Sequence, residues 1–120
     1  MPMPGPDGVV KLGHAALRIG DSTLFLADEF PEYGSMGPNG TSPVTIHLYV
    51  TDADAAYAQA IEAGATATMP LCNMFWGDRY GKVVDPFGHH WSIAEQLESL
   101  TPAQMHEKME LAMAGPPCEE

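Results

Sequence analysis

Two stretches of this 120-residue chain set histidines among hydroxyl and apolar side chains: Val44-Thr45-Ile46-His47-Leu48-Tyr49-Val50 and His89-His90-Trp91-Ser92-Ile93-Ala94. Read as strands, their period of two puts His47 and Tyr49 on one face of the first, and His90 and Ser92 on one face of the second, with Trp91 and Ile93 opposite. An imidazole in such a setting can move a proton, ligate a metal or hydrogen-bond a ligand. His14, Ala16 and Arg18 share a face of a third stretch, so the planar Arg18 guanidinium serves an anionic ligand or an ion pair with one of the sixteen acids equally well. Phe75 and Trp76 offer an aromatic rim. Plainer roles stand beside these: a hydrogen-bonded, half-buried His47, a His90 facing water, and a local turn or ion pair at Asp78-Arg79. Glu95 shares the parity of Trp91 and Ile93 and reads as a surface or helix-contacting residue. The chain has no serine or cysteine nucleophile with a credible base, no phosphate-binding glycine motif and no convincingly spaced carboxylate pair. These residues make a pocket, not a mechanism.

The elements that must hold them follow from pattern and punctuation. Pro6-Asp7-Gly8 is turn chemistry ahead of the alternating run Val9 to Ile19, and Gly20-Asp21-Ser22 links that strand tightly to Thr23–Ala27. Residues 30–43 contain three prolines and three glycines and read as a linker. Val44–Val50 is a strand. Thr51 or Asp52 caps a helix over Ala53–Ala63, which Gly64 stops. Strands are expected at Thr66–Cys72, Lys82–Val84 and His90–Ala94, with Gly77–Gly81 a loop. Thr101-Pro102-Ala103-Gln104 joins an N-cap, proline at N1 and glutamine at N3. It opens a helix whose Met105, Met109, Ala112 and Met113 form a packing stripe.

A formal charge of −11 opposes binding to nucleic acid or anionic membranes, and 45% hydrophobic content supports one core in a chain of this length. No apolar run is long enough to cross a bilayer and Met1-Pro2-Met3-Pro4-Gly5 lacks the features of a signal peptide, so the expected location is cytoplasmic. Cys72 and Cys118 have no zinc or disulfide spacing and are expected to be free thiols.

Asp85-Pro86-Phe87-Gly88-His89-His90-Trp91-Ser92-Ile93 resembles the Asp-Pro-x-Gly turn and last strand of vicinal-oxygen-chelate modules, the glyoxalase, bleomycin-resistance and extradiol dioxygenase fold. Phe75-Trp76-Gly77-Asp78-Arg79-Tyr80-Gly81 precedes it at the family's spacing. His14 to Ser22 and Leu26-Ala27-Asp28-Glu29 are similar to a glyoxalase-like branch that includes the phosphonate-operon protein of unresolved role. The resemblance implies an α+β fold in one glyoxalase-like domain. Its parts would be a first-module remnant at 1–29, a β-hairpin lacking the module's N-terminal portion, then a linker at 30–43, a complete βαβββ module at 44–96 and a C-terminal helix at 101–114. First and last strands of a module are neighbours in this family, which brings His47, Tyr49, His90 and Ser92 to one cleft, with Trp76, Phe75, His14, Arg18 and Phe25 around it.

Family enzymes take metal ligands from those same strands. Only His47 matches a ligand position here: Ser92 replaces the usual glutamate, and the fourth-strand position of the first module falls near Phe25. No cofactor is therefore expected, a divalent metal being the exception that would restore an enzyme. The function implied is binding rather than conversion: a small molecule held between modules or subunits of a homodimer. Two rivals are a metal-dependent lyase, isomerase or dioxygenase completed by a second chain, and a truncated, dimerising protein without a ligand.

Overall fold

A computed structural model describes residues 2–4, 10–40 and 42–114, and the chain divides into two compact units, residues 1–37 and 38–120. In the first unit, strand β1 (Pro2–Pro4) pairs antiparallel with β2 (Val10–Leu12), and β3 (Ala15–Ile19) pairs antiparallel with β4 (Ser22–Leu26). The run expected as one strand from Val9 to Ile19 is broken at Gly13-His14. Asp28 holds the end of β2 there: its Oδ2 accepts from Leu12 N–H at 2.7 Å and its own N–H donates to Leu12 O at 2.8 Å. Gly20, at φ 59°, opens the two-residue turn between β3 and β4 with the backbone sign that suits a twisted hairpin. The linker is more ordered than its composition suggests. Phe30 is buried, bridges to Ser35 and precedes a 3-10 turn over Pro31–Tyr33.

The second unit contains the expected βαβββ arrangement. Strands β5 (Thr45–Tyr49), β6 (Thr66–Asn73), β7 (Asp78–Val84) and β8 (His90–Gln96) form one sheet in the order β5-β8-β7-β6, with β5 and β8 parallel and the other pairs antiparallel. Helix α1 (Ala53–Glu62) packs on β6, β7 and β8. Of the two expected caps, Asp52 is the one used, accepting from Ala55 N–H at 3.1 Å, while Glu95 accepts from Ala53 N–H at 2.9 Å. Two carboxylates thus meet donors that the first turn cannot satisfy internally. Gly64, at φ 116°, follows the helix as its left-handed stop.

Gly81 lets α1 approach the sheet, since a Cβ there would lie 2.9 Å from a ring carbon of Tyr57. The Tyr57 hydroxyl spans the contact to Met69 O at 3.0 Å and Lys82 O at 3.3 Å. Val83 and Ile93 are buried in this layer.

Two expectations are corrected in this unit. Residues 78–81 are the start of β7 rather than a loop, because β8 on one side and β6 on the other supply ladder partners that outweigh the loop-like composition. Cys72 is disulfide-bonded and not a free thiol, while Cys118 lies outside the described residues. Sequence spacing says nothing of the Cα proximity on which a bridge depends.

Helix α2 (Pro102–Ala114) opens with the reciprocal cap its sequence announces: Thr101 N–H donates to Gln104 Oε1 at 2.9 Å and Gln104 N–H donates to Thr101 Oγ at 3.2 Å. Met105, Met109 and Ala112 are half-buried along it, but Met113 is exposed. Among the described residues no helix is long and apolar enough to cross a membrane.

Candidate functional site

Pleating divides the second unit's sheet into a helix side and an open side. Tyr57 against Gly81, Glu95 against Ala53, and Arg79 paired with Asp54 of α1 at 3.0 Å mark the helix side. The alternate residues, His47 and Tyr49 on β5, His90, Ser92 and Ala94 on β8, and Asp78, Tyr80 and Lys82 on β7, belong to the open side. Register arranges them in rows: His47 beside Ser92 beside Lys82, and Tyr49 beside Ala94 beside Tyr80.

His47 Nδ1 and Ser92 Oγ lie 2.6 Å apart, and Ser92 is only 1% exposed. The hydroxyl therefore fixes the ring and leaves Nε2 directed away from it. An aromatic chain extends from that imidazole. His47 stands edge-on to Tyr49 with ring centroids 4.7 Å apart and lies 5.9 Å from Tyr80; Tyr80 stands 5.5 Å from Trp76, and Trp76 5.0 Å from Phe75. Asp78, 4% exposed, pins the two ends of the cluster, because one of its oxygens accepts from Tyr49 O–H at 2.9 Å and from Trp76 Nε1–H at 3.1 Å. The hydrogen bond to Asp78, then its negative charge, then burial raise the Tyr49 phenol above its ordinary pKa.

Of the nine side chains expected at the site, His47, Tyr49, Ser92, Trp76 and Phe75 belong to this chain of contacts, and His90 opens β8 half-buried on the same face. The other three are in the first unit. His14 and Phe25 stack edge-on with centroids 4.8 Å apart, and the exposed Arg18 donates Nε–H to Gly20 O at 3.3 Å. Asp78, Tyr80 and Lys82 complete the open face but escape a reading by local pattern. The available signal was the alternation Asp78, Tyr80, Lys82, which continues the Lys82–Val84 strand backwards; the glycines at 77 and 81 mask it.

The donor set does not fit a divalent cation. Among the described residues no group of three or more histidine, cysteine or acidic side chains converges on a point. His47 Nδ1 is engaged by a hydroxyl and the nearby carboxylate by a phenol and an indole, whereas borderline ions need several imidazole, thiolate or carboxylate ligands together.

The βαβββ sheet and its Asp85-Pro86-Phe87-Gly88 turn agree with a family match: residues 5–93 fit the model of the Glyoxalase/Bleomycin resistance protein/Dioxygenase superfamily. The chain belongs to this superfamily. Two relatives from Mycobacterium bovis (strain ATCC BAA-935 / AF2122/97) and Mycobacterium tuberculosis (strain ATCC 25618 / H37Rv), both called uncharacterized proteins, are each 52% identical over 103 residues, or 82% of this chain. The chain matches only 66% and 59% of their respective lengths. Among similar solved structures, a Pseudomonas aeruginosa protein is 29% identical with a TM-score of 0.62, covering 82% of this chain and 72% of that one. TioX from Micromonospora sp. ML1 is 27% identical with a TM-score of 0.56, covering 70% and 68%. Membership in the superfamily fixes the fold and leaves the ligand to the side chains of the site.

Proposed function

We propose that this protein binds a small molecule on the open face of the second unit's sheet, against His47, Tyr49, Trp76 and Tyr80, and holds it without converting it. The observation that carries this reading is the Asp78 carboxylate, which is almost wholly buried yet serves to fix Tyr49 and Trp76 as walls. Rigid aromatic walls with a few oriented polar groups are what a ligand site requires. His47 is held in one orientation by Ser92, and among the described residues no titratable group is hydrogen-bonded to it, so the face offers recognition rather than an acid–base pair. Homodimerisation and a cytoplasmic setting belong to the same proposal; the disulfide at Cys72 would there be exposed to reducing conditions.

Thermal-shift screening of dialysed protein against a small-molecule library provides the test, because a ligand that binds only the native state raises the melting temperature. Hits should disappear in Trp76→Ala and Tyr80→Ala and persist in Glu62→Ala, an exposed position of α1. Hits insensitive to both aromatic substitutions would refute the placement. About one tightly held divalent metal per chain, lost on His47→Ala, would instead favour the metal-dependent enzyme.

A further inference from the structure

The chain has five lysine and arginine residues, and among the described residues four of their cationic groups have partners. Lys11 donates to Glu29 O at 3.1 Å, Arg18 donates to Gly20 O, Arg79 pairs with Asp54 and Asn73, and Lys108 pairs with Glu98 at 2.5 Å. The fifth, Lys82, has no side-chain hydrogen bond or ion pair among the described residues, although it is half-buried and the protein carries a charge of −11. Lysine is seldom buried without a partner, and so acidic a chain has carboxylates to spare.

Its position suggests what the ammonium is kept for. Lys82 is on the same face as Tyr80 and pairs across the ladder with Ser92, which pairs in turn with His47. Two strand spacings separate Lys82 from His47, about 10 Å between backbones, and both side chains rise from the sheet on either side of the short Ser92. When Ser92 O–H donates to His47 Nδ1, the proton of the neutral imidazole is on Nε2, which points away from Ser92, so the donor beside Ser92 is the Lys82 ammonium. The acidic Asp78 is four residues along β7 from Lys82, about 13 Å away at strand rise, and its hydrogen bonds go to Tyr49 and Trp76. The next row, Tyr49 and Tyr80, adds an aromatic surface one step along the sheet.

From this juxtaposition we infer that the site selects ligands carrying a small oxyanion, a carboxylate or phosphonate, on a flat apolar body. Lys82 grips the oxyanion beside Ser92, and the body lies toward Tyr80 and Tyr49. The inference rests on the binding reading above and adds the sign of the ligand's charge.

Phenylacetate, phenylphosphonate and the uncharged phenylacetamide separate the two ideas when titrated into labelled protein and followed by NMR. The anions should move the Lys82, His47 and Tyr80 resonances and bind about tenfold or more tightly than the amide, the scale of one charge-assisted hydrogen bond. Lys82→Gln should erase that preference, while Lys82→Arg and Lys108→Gln retain it. If amide and anions perturb the same residues equally, and Lys82→Gln changes nothing, charge selection is overturned while the binding face stands. If none of the three perturbs this face at millimolar concentration, both fall together.

Discussion

Asp78 and Asp85 show how the same side chain can serve a site or a scaffold. Asp85 accepts from Phe87 N–H at 2.9 Å, His89 N–H at 3.0 Å and Trp91 Nε1–H at 3.0 Å, closing the turn that leads into the last strand. Burial pushes its carboxyl pKa up, but the bonds from Trp91, His89 and Phe87, with the nearby His89 charge, outweigh that and hold it below the ordinary value. A depressed carboxyl stabilises the native state above the unfolded pKa, and that contribution is lost as pH falls through the lower folded value. Asp85→Ala should therefore cost about 2 kcal/mol at neutral pH, as loss of hydrogen bonds to a charged group does. The gap between variant and parent in urea denaturation should narrow as pH drops below about 4; a gap constant down to strongly acid pH would mean that turn shape, not charge, supplies the effect. Asp85 was conspicuous in the sequence because its motif is local. Asp78 was not: its phenolic partner is 29 residues away, and only the folded sheet unites them.

At the scale of elements, legibility followed the range of the interactions. The Thr101–Gln104 cap, the Asp52 cap and the Gly64 stop are all formed within a few residues, and each could be read from the chain. The start of β7 could not, since it depends on pairing with β8 and β6, and the break at Gly13-His14 depends on Asp28 from beyond the next hairpin. Pairing His47 with Ser92 needed both strand parity and the strand order implied by the family resemblance. Gly77 is where the β6–β7 connection bears directly on the site, standing between Trp76 and Asp78. Its φ is 98°, its carbonyl accepts from Leu97 N–H at 2.9 Å and Glu98 N–H at 3.1 Å, and an added Cβ would lie 2.6 Å from Glu98 O. Gly77→Ala should thus combine left-handed strain with a backbone collision, costing about 3 kcal/mol and disturbing Trp76 fluorescence. Gly40→Ala, with φ 90° and open space around the new methyl, should show the strain alone, about 1 kcal/mol. Equal losses in the two variants, measured by chemical denaturation, would show that the close approach to Glu98 is dispensable.

For the whole molecule, the outstanding question is how the first unit is stabilised. Its strands form two separate two-stranded sheets, and Leu17, Phe25 and Leu26 are 49%, 69% and 41% exposed, with Phe30 the buried large apolar side chain among its described residues. Hairpins of this kind are marginal alone in water, and unpaired strand edges invite addition of another chain. A second copy in two-fold symmetry is the commonest way to cover such surface, and an obligate interface would bury upwards of about 2,000 Å² in total. The high negative charge opposes that association at long range and salt screens it, so a dimer held by apolar burial should tighten as ionic strength rises. Sedimentation equilibrium over a dilution series, at about 0.02 M and 0.5 M salt, distinguishes this from a dimer held by surface ion pairs, which would weaken instead. Circular dichroism on the same samples should show strand content falling as the dimer dissociates. A monomer that keeps its full strand signal at the lowest concentration would mean that the two hairpins are stabilised within one chain.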